Sequence, residues 1–463
     1  MSADGLYIPR YIDRALDLLL AELPALMLTG PRGCGKTTTA LRRAASVMRL
    51  DRPEEAGAFR AAPDAVLAAQ PTPALIDEWQ VVPESMGAVK RAVDTRPGPG
   101  RFLLTGSIRA RLDASGWPGT GRVVPLSMYG LTVGELQHRP HAAAAIDRSF
   151  SDEDPSAGTL EPAPDLVDYL DHAFRGGFPD AVDLSDFARS TWYEGYVDQL
   201  VRHDVADLAE VRSPAGLAAL LRAVALNTAG LPSLTTLADA ARIDHRTAKA
   251  YLDLLEDLSI IDRIPAWTTN RLNRMVKTPK YYILDPGLAA HLAGDTRTGI
   301  LKSADRVGRL IDTFVLAQLR PLLKLATPSV TAHHLRDGNQ TREIDLVLES
   351  ASGQIVGIEI KAASTVYPRD AKHLAWLRDH VGTTFQRGII LHTGATTYPL
   401  GERIWAVPIA ALWRAKPLMP PATSTTAPDD ARGVRPGAAR RAPPDRTAGV
   451  PRIAHLTQPA PSL

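Results

Sequence analysis

Gly30-Pro31-Arg32-Gly33-Cys34-Gly35-Lys36-Thr37 decides the reading of this chain, because it spells the pattern G-x-x-x-x-G-K-[ST] in full. The apolar run Ala25-Leu26-Met27-Leu28 before it reads as a buried strand, and Thr38 to Arg49 after it as a helix. The loop therefore joins a strand end to a helix start. Gly30, Gly33 and Gly35 let the backbone curl tightly and aim N–H groups at phosphate oxygens, with the positive helix end adding to the attraction. In this pattern Lys36 reaches the β- and γ-phosphates of ATP and Thr37 holds Mg²⁺ through its hydroxyl, with Thr38 next along the nucleotide-binding segment.

Downstream, Ala74-Leu75-Ile76 ends in Asp77-Glu78, an apolar strand closed by two carboxylates. Asp77 is expected to bind Mg²⁺ directly or through water, and Glu78 to orient or deprotonate the attacking water. Two solvated acids at a strand end are the plain alternative, and the intact phosphate loop upstream argues against it. Phe102-Leu103-Leu104 ends in Thr105-Gly106-Ser107, where Thr105 and Ser107 are either sensors of the γ-phosphate or caps of a following helix. Strands alternating with helices, with a phosphate loop after the first strand, predict a parallel doubly wound α/β sheet that takes ligands at its carboxyl edge.

Lys+Arg 53 against Asp+Glu 51 leaves a net charge of +2, so any nucleic-acid surface must be local. Cys34 is the only cysteine, which excludes an intramolecular disulfide and a cysteine-built metal site and fits a reducing cytoplasm. The first residues lack a signal-like pattern, and no stretch approaches the roughly 20 apolar residues of a membrane span. A cytoplasmic chain without a membrane partner is expected.

The segments Leu28-Thr29-Gly30-Pro31-Arg32, Ala74 to Gln80, Leu104-Thr105-Gly106-Ser107 and Gly121-Arg122-Val123 with Leu126-Ser127 resemble prokaryotic AAA-like ATPases that carry a nuclease-like C-terminal domain of unknown function. The resemblance runs across roughly residues 7–415. It implies that Arg122 is an arginine finger or sensor, acting in cis or across a subunit boundary of a homo-oligomer. Gly33-Cys34 departs from the family, where a longer polar residue and a small one are expected.

Residues 1–136 are thus expected to form the ATPase domain. Residues 137–165, rich in Ala, Pro, Ser, Asp and His without periodicity, read as a mobile linker or insertion, and His138, His141 and His172 do not make a metal site. Within 166–295, helices are predicted over Leu217 to Asn227, Leu234 to Ala241 and His245 to Leu258, the last capped by Asp244, followed by a strand at Ile260 to Ile264. This is a winged-helix pattern. His245, Arg246 and Lys249, with the basic run Arg271, Arg274, Lys277 and Lys280, fall where DNA phosphates would be met, although such domains also serve as protein-interaction elements.

A restriction-endonuclease-like α/β domain is expected over residues 300–415. Asp312 lies in a helix from Val307 to Leu322, and strands follow at 330–335, 343–348, 355–360 and 388–391. Asp345 on one strand and Glu359-Ile360-Lys361 on the next resemble the PD-(D/E)XK nuclease core, with Asp312 where a Glu is usual. In that core Asp345 and Glu359 hold Mg²⁺ and Lys361 positions the water or stabilises developing charge. Residues 416–463, rich in Pro, Ala, Thr and Arg, read as disordered. The expected function is a Mg²⁺-dependent ATPase, converting ATP to ADP and phosphate, whose cycle drives the later modules on DNA or a protein partner. The alternatives are a nucleotide-gated binding switch with a non-catalytic nuclease-like domain, and an ATP-dependent DNA nuclease in defence or repair.

Overall fold

The computed structural model describes residues 7–106, 120–139, 144–204, 213–269, 277–337 and 342–414, all within one compact unit. Ser107, His141, Arg271, Arg274 and the 416–463 tail lie outside the described residues.

Strands β1 (Ala25–Thr29), β2 (Ser46–Arg49), β3 (Ala74–Asp77), β4 (Phe102–Thr105) and β5 (Val123–Ser127) form one sheet in the order β2-β3-β4-β1-β5, and every pair is parallel. Both faces are covered, which is why these strands read as unbroken apolar runs. Ala25, Met27, Ile76 and Leu104 pack with Phe59, Trp79 and Val89 on one side. Leu26, Leu28, Leu75 and Leu103 pack with Ile12, Leu16 and Leu20 of helix Ile12–Leu20 on the other. The predicted helix from Thr38 to Arg49 is corrected: it spans Lys36–Leu41 only. Ala45 N–H then donates to Pro73 O and the chain enters β2 as a partner of β3, so a tertiary pairing overrides local helix propensity.

The next region packs helices Pro214–Leu226, Leu234–Ala241 and His245–Asp257 against a two-stranded antiparallel sheet, β7 (Ile261–Ile264) with β8 (Lys280–Ile283). Leu217, Leu221, Leu237, Leu252 and Leu255 are its core. Asp244 accepts from the Arg246 and Thr247 amides, the cap its position predicts.

The last region is a seven-stranded mixed sheet. It comprises β6 (Gly158–Thr159), β9 (Val330–Arg336), β10 (Glu343–Ser350), β11 (Ile355–Lys361), β12 (Phe385–His392), β13 (Thr396–Gly401) and β14 (Ile404–Pro408). Their order across the sheet is β6-β13-β14-β12-β11-β10-β9. Helix Ala304–Leu325 covers one face against Leu346, Leu348, Ile358 and Ile360. Helix Lys372–Val381 covers the other against Ile344, Val347 and Phe385. The segment expected to be a mobile linker is tied to this sheet: β6 pairs with β13, and the Arg387 guanidinium donates to the Arg148, Ser151 and Glu153 carbonyls. Those partners are distant in sequence, so nothing local announces them.

Candidate nucleotide site and a lysine-closed acidic centre

The strand order sets β4 between β1 and β3, so the ends of three strands meet at one carboxyl edge. The phosphate loop leaves β1 there. Gly30, Gly33 and Gly35 have φ of 149°, 77° and 97°, and a Cβ on Gly30 would collide with the Met128 carbonyl oxygen. Gly30 thus admits no side chain, and the positive φ at Gly33 and Gly35 favours glycine there. Helix Lys36–Leu41 has 6 residues, so the loop amides supply more of the anion site than the short helix dipole does. Lys36 Nζ donates to the Gly30 and Pro31 carbonyls at 2.9 Å each, which holds the ammonium at the mouth of the loop. Thr38 is exposed on the first turn.

Asp77, at the end of β3, is buried and gathers two hydroxyls: Thr37 Oγ1 donates to its Oδ1 at 2.7 Å, and Thr105 Oγ1 donates to the same atom. A hydroxyl and a carboxylate set together beside a phosphate loop are the oxygen donors that Mg²⁺ prefers, so these residues fit the ion. Thr105 thus orients Asp77 through its hydroxyl. Glu78 follows with φ 54° and ψ 47°, a left-handed conformation that swings its side chain out of the strand's pleat, and its carboxylate accepts from Gln80 Nε2.

Arg10 was not found by sequence reasoning. Its buried guanidinium donates to Cys34 O at 2.9 Å and Tyr129 O at 2.6 Å and pairs with Glu135 at 3.1 Å, clamping the back of the phosphate loop. Glu135 in turn caps helix Val133–Leu136 with Thr132. The partners of Arg10 lie 24, 119 and 125 residues away, beyond any local signal.

Arg122 lies away from the phosphate loop of its own chain. Val123 pairs with Ala25 and Ser127 with Thr29 in parallel register, so Arg122 stands at the amino edge of the sheet while the loop leaves the carboxyl edge. The separation along the strand is about 16 Å. Its Nε bonds Asp94 at 2.9 Å, a surface pair that holds the Asp94 carboxyl below its usual range. Arg122 cannot reach the nucleotide of its own chain. Arg122→Ala is expected to leave turnover of the isolated chain within about twofold, because exposed pairs contribute little; a larger loss in a phosphate-release assay at low protein concentration would contradict this geometry.

The second constellation is brought together only in part. The β9–β10 register shifts between Ile344 and Val347, which turns Asp345 toward helix Ala304–Leu325 and Asp312. Lys280, the first residue of β8, reaches between them: its Nζ is 2.8 Å from Asp345 Oδ1 and 3.7 Å from Asp312 Oδ2, with its side chain 2% exposed. The other Asp345 oxygen accepts the Ile360 amide at 3.0 Å, where the β10–β11 ladder has stopped at Leu346↔Ile358. Burial opposes the charges here, yet the lysine holds Asp345 below the usual carboxylate range and the acids hold Lys280 well above the usual lysine value. Burial and the Asp345 charge push Asp312 well up, toward its neutral form. Lys280 is thus removed from the basic run expected to face DNA.

Glu359 is buried and turns instead toward Lys361, at 3.1 Å, and toward His373 of helix Lys372–Val381, at 3.6 Å. Its neighbours Ile358 and Ile360 pack on the opposite side with helix Ala304–Leu325. Among the described residues no group of three His, Cys, Asp or Glu side chains is placed to hold a metal. Asp345 and Glu359, the expected metal pair, each have a lysine partner, Lys280 and Lys361.

Burial raises the Glu359 carboxyl to about 7, against the lowering effect of Lys361. A carboxyl raised on folding binds its proton more tightly in the native state, so its contribution is favourable at low pH and lost as pH rises from the unfolded value through 7. Thermal unfolding across pH 4.5 to 8 should show Glu359→Gln lacking a loss on the order of 2–3 kcal/mol that the wild type displays. Parallel pH profiles would dismiss the shift.

Comparison with known proteins agrees with the first of these centres. A model of an AAA domain matches residues 22–137, and two domains of unknown function, DUF8612 and DUF4143, match residues 166–299 and 307–412. Uncharacterized proteins of Mycobacterium bovis and Mycobacterium tuberculosis are each 30% identical over 400 residues, covering 84% of this chain and 81% of theirs. This chain belongs to their family. Among solved structures, a Walker-type ATPase of Pyrococcus abyssi is similar at 14% identity, 60% of this chain, 94% of that chain and TM-score 0.38. The Aeropyrum pernix Orc1 protein in complex with DNA is similar at 15% identity, 63% and 92% coverage and TM-score 0.28. The first domain is an AAA-like P-loop ATPase domain, and no described helix is long and apolar enough to cross a membrane.

Proposed function

We propose that this chain hydrolyses ATP to ADP and phosphate with Mg²⁺, and that the nucleotide cycle acts through its later domains on DNA or a protein partner. The convergence of Thr37 and Thr105 on Asp77, behind a loop of positive-φ glycines, carries the reading. The loop amides and Lys36 bind and orient the β- and γ-phosphates and stabilise charge that builds between them. Thr37 and Asp77 would hold Mg²⁺, which supplies electrostatic stabilisation of the transferring phosphoryl group. Glu78 orients the attacking water and accepts its proton at the carboxylate.

The cycle has a physical route outward. Arg10 joins the Cys34 carbonyl to Glu135, and Gln318 Oε1, on the helix that carries Asp312, accepts the Val133 amide at 2.8 Å. Tyr196 Oη also donates to the Arg32 carbonyl at 3.2 Å. Phosphate release by the purified chain, with and without duplex DNA, tests the reading. Turnover stimulated by DNA supports a DNA target, turnover indifferent to DNA supports a protein target, and nucleotide binding without turnover supports the switch. A finger role for Arg122 in trans requires a homo-oligomer, and activity regained on mixing Arg122→Ala with Glu78→Gln would support it.

The winged-helix reading is supported by the three helices with their hairpin and by the exposure of His245, Arg246, Lys249 and Lys277. If DNA is bound here, replacing Arg246, Lys249 and Lys277 by alanine should lower the slope of log K against log salt by about 3 at most. An unchanged slope in a fluorescence-anisotropy titration would turn the reading toward a protein partner.

A further inference from the structure

We propose that the pocket bordered by helix Leu166–Arg175 and helix Ala411–Arg414 binds a phosphate group, free or borne on a small molecule as a monoester, through the guanidiniums of Arg175 and Arg414. The pocket holds about 460 Å³, and Arg189 and Arg297 line it as well. These four arginines differ in whether a carboxylate accompanies them. Arg297 pairs with Asp171 and also donates to both Asp186 oxygens at 3.1 Å, and Arg189 shares Asp186 at 3.0 Å. Two cations and two anions are thus balanced among themselves. Asp168, also on the pocket wall, serves the cap of its own helix, where it accepts the Asp165 amide at 2.9 Å.

Arg175 and Arg414 have no carboxylate partner among the described residues. Asp171 stands four positions before Arg175, the spacing at which a helix pairs an acid with a base, but the fold gives Asp171 to Arg297 instead. Arg175 Nη2 bonds His172 Nδ1 at 2.9 Å. Burial and the Arg175 charge push that imidazole down to about 4, so near neutral pH it accepts the bond as an uncharged ring and cancels nothing. Arg414 Nη1 donates to the Pro162 carbonyl, again a neutral acceptor. Burial and the neighbouring Arg189 charge lower the Arg175 guanidinium from its ordinary value, and Asp183 offsets this only in part. The folded chain therefore keeps a half-buried cation beside another cation, and an anion in the pocket relieves that repulsion. Guanidinium forks match phosphate oxygens, and a pair of them balances the roughly two negative charges of a phosphomonoester near pH 7. The inference does not depend on ATP hydrolysis, and its test uses nucleotide-free protein.

Calorimetric titration of the full chain tests this, with Lys36→Ala in every protein to weaken competition from the phosphate loop. Inorganic phosphate and glycerol 3-phosphate are the probes, and succinate is a dianion without phosphorus. The Lys36→Ala chain should bind a phosphate probe, and adding Arg175→Gln or Arg414→Gln should weaken that binding about tenfold or more, the share of one charge-assisted pair. Glycerol 3-phosphate binding more tightly than inorganic phosphate assigns a monoester as the ligand, and binding no tighter assigns the free ion. Melting temperatures measured without probe show that each variant is folded, and Arg414→Gln carries the test by itself should Arg175→Gln unfold the chain. Absence of phosphate binding in the Lys36→Ala chain overturns the proposal. So does phosphate binding that the folded arginine variants leave unchanged, and so does succinate binding as tightly as either probe.

Discussion

Glu78→Gln is expected to slow phosphate release roughly a hundred- to ten-thousand-fold while ATP affinity stays within a few fold, the span that general-base catalysis contributes. The amide keeps the size and the left-handed turn of Glu78, at φ 54°, and removes only the ability to take the proton of water. Lys36→Ala should behave differently. Its Nζ sits at the loop mouth, 2.9 Å from the Gly30 and Pro31 carbonyls, so its removal takes charge from the phosphates before any chemistry and should appear as lost nucleotide binding. Equilibrium binding of a fluorescent ATP analogue, measured beside phosphate release, separates the two. Turnover of wild-type size in Glu78→Gln would assign the water to another residue.

Lys280→Met is expected to cost about 3–5 kcal/mol of folding stability, because it strips the counter-charge from Asp345 in a buried site. That is a large share of the roughly 5–15 kcal/mol that holds a domain together. The companion variant Lys280→Met/Asp312→Asn/Asp345→Asn should recover most of the loss, since neutral amides need no ammonium and a side-chain amide oxygen in place of the Asp345 carboxylate can still accept the Ile360 amide. Urea denaturation midpoints of the three proteins compare them directly. A loss below about 1 kcal/mol in the single variant would mean that water already screens the pair.

Much of the fold was legible because its signals are local. The glycine spacing at Gly30, Gly33 and Gly35 is dictated by backbone conformation, and the structure gives all three a positive φ. Apolar runs marked β1, β3 and β4, and helical spacing with the Asp244 cap marked the three-helix region within a few residues. Strands β13 and β14 and helix Lys372–Val381 were not recognised, because Pro399, a short turn and a polar helix face blur their periods.

By itself, then, the sequence determined the phosphate loop, the Asp77-Glu78 pair that follows it and the parallel sheet that bears both, since each depends on residues close along the chain. Tertiary structure alone decided what each remaining charge does. Arg122 heads a strand just as a finger could, but parallel pairing with β1 sends it to the far edge of the sheet. Lys280 closes a run of cations that reads as a face for DNA phosphates, yet its partners Asp312 and Asp345 arrive from 32 and 65 residues further along the chain. Arg10 bears no motif at all and becomes the clamp of the loop through Cys34, Tyr129 and Glu135. Charge is a property of the residue, but its partner is a property of the fold, because an ion pair forms over a few ångströms of space regardless of the length of chain between its members.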